Sequence, residues 1–159
     1  MSRKLIGLLT AGGLCLAGAT LPAQADNLGA SFTTVPRSWL GNLSQALVIT
    51  SGGSSSVSFF NTTIGTVSVT YTAECQLNGA SSSWLHVSVV IDGVVTPPSG
   101  PDAAFCSGQG VGVATGWARH SITVARVLAT GTHSVSVRGQ VAGVHAGARI
   151  DDSTILVTR

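Results

Sequence analysis

Between Gly65 and Cys75 the chain alternates without a break: Val67, Val69, Tyr71, Ala73 and Cys75 fall on one side, Ser68, Thr70, Thr72 and Glu74 on the other. A period of two over this length describes a strand with one buried and one wet face, because successive side chains of an extended backbone point in opposite directions. The same pattern recurs twice. Leu85, Val87, Val89 and Ile91 alternate with Trp84, His86, Ser88 and Val90, and Val135, Val137, Gly139 and Val141 alternate with Ser134, Ser136, Arg138 and Gln140. Asp92-Gly93, set between Ile91 and Val94, is a hairpin signal, since both residues tolerate the positive φ that a type I′ turn demands. Val94-Val95 begins the return strand and Pro97-Pro98 stops it.

Weaker patterns fill the rest. Ser31 to Val35, Gln45 to Thr50, Val57 to Asn61, Ala103 to Cys106 and Trp117 to Leu128 read as short strands, and Ser38-Trp39-Leu40 as a turn. Pro36 ends the first of these strands or confines it to an edge, because proline cannot donate to a ladder. Asn78-Gly79 and Gly131-Thr132 read as turns. Ala148 to Ile150 and Thr154 to Thr158 close the chain as one strand or two, with Asp151-Asp152 as a turn or bulge between them. No apolar stripe of period 3.6 appears after residue 25. About eight short strands with regular turn signals predict an all-β protein, a two-sheet β-sandwich of jelly-roll or Greek-key type.

Residues 1–25 carry a different pattern. Arg3 and Lys4 precede an apolar run from Leu5 to Ala19, and Ala23-Gln24-Ala25 supplies a small-x-small cleavage site. The run is shorter than the roughly 18 to 20 residues a membrane span needs, so the expectation is a cleaved signal peptide that takes Cys15 with it. Residues 26–159 are then a single secreted or periplasmic domain of bacterial type, with no membrane span. The formal charge of +2 falls to near zero without the leader, since six arginines then face six carboxylates. Those arginines are scattered, whereas a nucleic-acid partner needs a clustered basic face; that class is set aside.

Two segments, Gly131 to Arg138 and Ile150 to Val157, resemble the last core strands of jelly-roll modules of the complement C1q and tumour-necrosis-factor type, and of phage-tail and secreted bacterial domains of unknown function. The resemblance covers about a quarter of the chain. It implies a non-enzymatic module that often forms trimers. No functional residue transfers, because those families bind through variable loops.

Cys75 and Cys106, two cysteines in an exported chain, are expected to form a disulfide. Closing a loop of this length stabilises by roughly 3 to 4 kcal/mol in the chain-entropy model. His86, His120, His133 and His145 are isolated, with no His-x-His or His-Glu-x-x-His among them, so no metal site or cofactor is expected. No serine lies in a Gly-x-Ser-x-Gly elbow. Asp151-Asp152 offers oxygen ligands of the kind calcium takes, and equally reads as a bulge.

The remaining candidates are Trp84, His86, Trp117 and Arg119. If Leu85 and Val87 face the core, Trp84 and His86 face away from it, where an aromatic ring can stack on a sugar or a partner, and Trp117, Arg119 and His120 can extend that surface. The alternative is that a loop or neighbouring subunit covers Trp84. Three functions follow: a structural, adhesive or self-assembling module; a carbohydrate-binding module using exposed tryptophan, with a surface glycan as partner; and, least supported, a hydrolase or metalloenzyme built on His133 and Asp151.

Overall fold

A computed structural model of the chain describes residues 25–39, 44–47, 49–99, 104–108, 116–143 and 145–159. The expected signal peptide lies outside the described residues except for its last residue. The described residues form eleven strands and no helix: β1 (Asn27–Thr33), β2 (Arg37–Trp39), β3 (Gln45–Ala46), β4 (Ser56–Asn61), β5 (Gly65–Gly79), β6 (Trp84–Ile91), β7 (Val94–Thr96), β8 (Ala104–Ser107), β9 (Ala118–Leu128), β10 (Gly131–Ala142) and β11 (His145–Thr158).

They form two antiparallel sheets. In sheet A, β1 and β2 lie in succession along one side of β11, followed by β5 and β9; in sheet B, β4 and β3 lie along β10, followed by β6, whose far side carries β7 and β8. Three edge positions are thus each shared by two short strands, and eleven strands occupy eight positions in the order of a jelly roll. The split edges follow from the sequence. Pro36 separates β1 from β2, and the Pro97-Pro98 pair, joined by a cis peptide, ends β7.

The inward sets of the three alternating strands form the core. Val67, Val69, Tyr71, Ala73, Cys75 and Leu77 of β5 pack against Leu85, Val87, Val89 and Ile91 of β6, with Val135, Val137 and Val141 of β10 beside them, all buried. Each fully buried Val, Leu or Ile contributes about 1.5–3 kcal/mol. In β11 the buried positions change phase, from Ala148 and Ile150 to Ser153, Ile155 and Val157. A bulge at Asp151–Thr154 makes the change, with Asp152 at φ 42°. Without the extra residue, Ile155 and Val157 would face solvent.

The Asp92-Gly93 hairpin forms as expected, with φ values of 51° and 77° and Ile91 paired to Val94. Four local expectations shift. Asn78-Gly79 is not a turn but the end of β5, which stays paired to β11 through Gly79; the turn falls at Ala80–Ser83, closed by Ser83 N–H donating to Ala80 O at 2.8 Å. Gly131-Thr132 opens β10 because it pairs with Asn61 and Phe60. Ser38-Trp39 belongs to β2, held by Arg149 and Ala148. Among the described residues of Gln45 to Thr50, Gln45–Ala46 is strand, while Leu47 and Ile49 are buried in the core outside the strand and Val48 lies outside the described residues.

The segment before β1 meets the end of β11. Asp26 and Arg159 exchange backbone hydrogen bonds of 2.8 and 2.9 Å, and Arg159 Nη2 donates to Asp26 Oδ2 at 2.6 Å.

Candidate functional site

Where the edges of the two sheets face each other, at β8 and the start of β9, the sandwich is open. The cleft there is about 370 Å³ and is lined by Cys75, Cys106, Ser107, Gly116, Trp117, Ala118 and His120. This is within the ~300–1,000 Å³ usual for small-molecule sites. Its lining includes the Cys75–Cys106 disulfide, which ties β5 of sheet A to β8 of sheet B with Cα atoms 6.5 Å apart. Gly108, just past β8, donates its N–H to Ser83 O at 2.8 Å; a Cβ there would run into the carbonyl oxygens of Ala80 and Gly79, so only glycine lets β8 lie this close.

An aromatic chain runs from the core into the cleft. Tyr71, fully buried with its phenol pushed up by burial, packs against Phe105 at 5.8 Å between ring centroids, and Phe105 against His120 at 5.7 Å. His120 is partly buried. Trp117 lies just before β9 and is 43% exposed, with the Arg149 guanidinium 5.6 Å from its ring centroid. Strand register explains that contact. Cys75 pairs with Ala118 and Gln76 with Arg149, so Trp117 and Arg149 flank Gln76 on the outer face of sheet A. One register step further along, Arg119 Nη2 donates to Glu74 Oε1 at 3.2 Å, largely in solvent.

The four residues singled out from sequence occupy two surfaces. Trp84 and His86 stand on the outer face of sheet B, each partly buried. The indole Nε1 of Trp84 is enclosed without a hydrogen-bond partner, while His86 Nε2 lies 3.1 Å from Gln140 Oε1. Trp117 and Arg119 are exposed on the sheet A side. Ser107 links the two regions, since it pairs with Trp84 across β6–β8 and lines the cleft. The disulfide and His120 are among the residues read from sequence; the Arg149 contact depends on long-range register that the sequence pattern does not display.

His133 is taken up elsewhere. Its Nδ1 lies 2.7 Å from Asp92 Oδ2 and its Nε2 3.0 Å from Ala129 O, and an acceptor at each nitrogen favours the doubly protonated ring. The hydrogen bond to Asp92, then that to Ala129 O, raise the His133 pKa above its ordinary value. Partial burial raises the Asp92 carboxyl, but hydrogen bonds from His133 and Ser134 N–H and the charges of His133 and Arg126 outweigh it and hold Asp92 below its ordinary value. His133 therefore pairs with Asp92 rather than with Asp151, whose Oδ1 accepts from Asp152 N–H at 2.9 Å. Among the described residues no group of three or more His, Cys, Asp or Glu side chains could hold a metal ion.

No protein-family model and no curated protein matches the chain. Among solved structures it is similar to the C-terminal domain of EclA, a sugar-binding protein, at 15% identity over 92% of this chain and 89% of that one, with a TM-score of 0.34. It is similar also to a family 35 carbohydrate-binding module from Clostridium thermocellum (13% identity, 83% and 95% covered, TM-score 0.33) and to one from Paenibacillus barcinonensis (16%, 83% and 95%, 0.29). Identities and TM-scores at this level assign neither family nor ligand.

Proposed function

We propose that this protein is a non-enzymatic glycan-binding module whose platform is Trp117. The observation that carries the reading is an exposed indole, held by Arg149, at the rim of a cleft that Ser107 and His120 also line. A sugar ring offers an apolar C–H face for stacking and hydroxyls around its edge, and this pairing of an aromatic plane with polar neighbours matches both. The site is preorganised, because the disulfide and Gly108 fix β8 on one wall and β9 is paired along its length to β5 on the other. The disulfide also favours an oxidising compartment, secreted or periplasmic.

Titration of the purified domain with a panel of soluble polysaccharides, followed by tryptophan fluorescence and calorimetry, tests the reading. At least one glycan should bind, and Trp117→Ala should weaken it 30-fold or more while leaving the melting temperature within a degree or two. Unaltered affinity in W117A would sink the assignment of the platform. Trp84 and His86 form a second patch in this reading, and Trp84→Phe should change glycan affinity less than threefold.

A second reading, an adhesive or self-associating module, draws on the apolar side chains left on the surface. Phe32 and Leu156 are exposed on the outer face of sheet A, and Val127 on β9, which among the described strands pairs with β5 on one side only. Sedimentation at high protein concentration discriminates, and a strictly monomeric species would remove it.

A further inference from the structure

We infer that the glycan bound at Trp117 is acidic, with a carboxylate or sulfate on the sugar received by Arg149; the inference rests on the glycan-binding reading. The starting point is how the charges near the cleft are already used. Glu74 is paired with Arg119 at 3.2 Å, and Asp151 accepts the N–H of Asp152. Arg149 is exposed, and its described contact is the Trp117 ring, 5.6 Å from the guanidinium carbon. It has no carboxylate partner among the described residues.

A guanidinium stacked on an aromatic ring keeps its N–H groups free in its own plane, pointing outward around the edge. Those donors match the two oxygens of a carboxylate or sulfate in a bidentate pair, which is stronger and more directional than a hydrogen bond to a neutral hydroxyl. Register places further polar groups in the same row. Ser38 pairs with Arg149 on one side and Gln76 on the other, so Ser38, Arg149, Gln76 and Trp117 run across the outer face of sheet A from β2 to the start of β9. A sugar stacked at Trp117 thus has its charged substituent within the reach of Arg149 and its hydroxyls over Gln76. Arg119 cannot play this part as readily, because a ligand anion would have to displace Glu74.

The test compares matched polymers: polygalacturonate against its methyl-esterified form, and dextran sulfate against dextran. The expected result is at least tenfold tighter binding of one charged polymer over its neutral counterpart, with affinity falling as salt rises. Arg149→Gln should abolish the preference, Arg149→Lys should restore part of it, and Arg138→Gln, an exposed arginine on β10, should leave it unchanged. The two pairs separate carboxylate from sulfate. Equal binding of charged and neutral polymers by the wild type, or a preference that survives R149Q, overturns the assignment to Arg149 while leaving the glycan reading intact. Failure of every polymer to bind overturns both.

Discussion

The two ends of the sandwich are closed by different means. At one end the Asp92-Gly93 turn, the Ala129–Thr130 turn and the end of β4 meet in a polar network. His133 bridges Asp92 and Ala129 O, Asn61 Nδ2 donates to Leu128 O at 3.3 Å and Ala129 O at 2.8 Å, Ser134 N–H donates to Asp92 Oδ1 at 2.8 Å, and Arg126 Nη1 donates to Ile91 O at 3.0 Å. At the other end a disulfide does the holding, and the groups around it, Trp117, Ser107 and His120, stay open to a cleft. A network that spends most of its donors and acceptors on one another, Asn61 Oδ1 apart, has little left to offer a ligand, whereas a covalent tie stabilises without consuming any. The difference in closure is what leaves side chains at one end unspent, as the proposed binding site requires.

Breaking the covalent tie should have the largest effect. Replacing both Cys75 and Cys106 by alanine is expected to lower unfolding free energy by about 3–4 kcal/mol, read by urea denaturation; a loss below 1 kcal/mol would show that the cleft end is held by packing alone. The polar end should respond to pH instead. His133 has a raised folded-state pKa, so its contribution is complete below its ordinary value of 6.5 and is lost as pH rises through the raised value. Asp92 is lowered, so its contribution is present above 3.8 and is lost as pH falls through the lowered value. Melting temperature should therefore decline on the alkaline side of 6.5, and His133→Gln should flatten that decline while costing on the order of 1 kcal/mol near pH 6. An identical pH profile in H133Q would contradict the clamp. The smallest effect belongs to the solvent-exposed pair: Glu74→Ala should change stability by about 0.2–1 kcal/mol, and a larger loss would mean that the rim of the cleft is more rigid than its exposure indicates.

The sandwich was legible because burial imposes a period of two, and β5, β6 and β10 carry that period over many residues. The disulfide was legible from two cysteines in a chain whose leader reads as a signal peptide. Element ends were less so. Asn78-Gly79 has turn composition, yet pairing with β11 carries β5 through it. The site was half legible. Trp117 stood out as a tryptophan at the start of a strand, but its contact with Arg149 spans three strands and 32 positions, and Asp92 and His133 are brought together across 41. Trp84 was read correctly as facing away from the core, as the buried Leu85 and Val87 require; its enclosed indole depends on what lies over sheet B, which alternation does not encode.

The pairing of Asp26 with Arg159 has a practical consequence for how the domain can be handled. Thr158 pairs with Ser68 on β5, seven residues from Cys75 along the same strand, or about 23 Å at strand rise. Anything joined before Asp26 or after Arg159 leaves the molecule at the His133 end, well away from the Trp117 cleft. Tethered through an attachment at Arg159, the sandwich turns its open end outward.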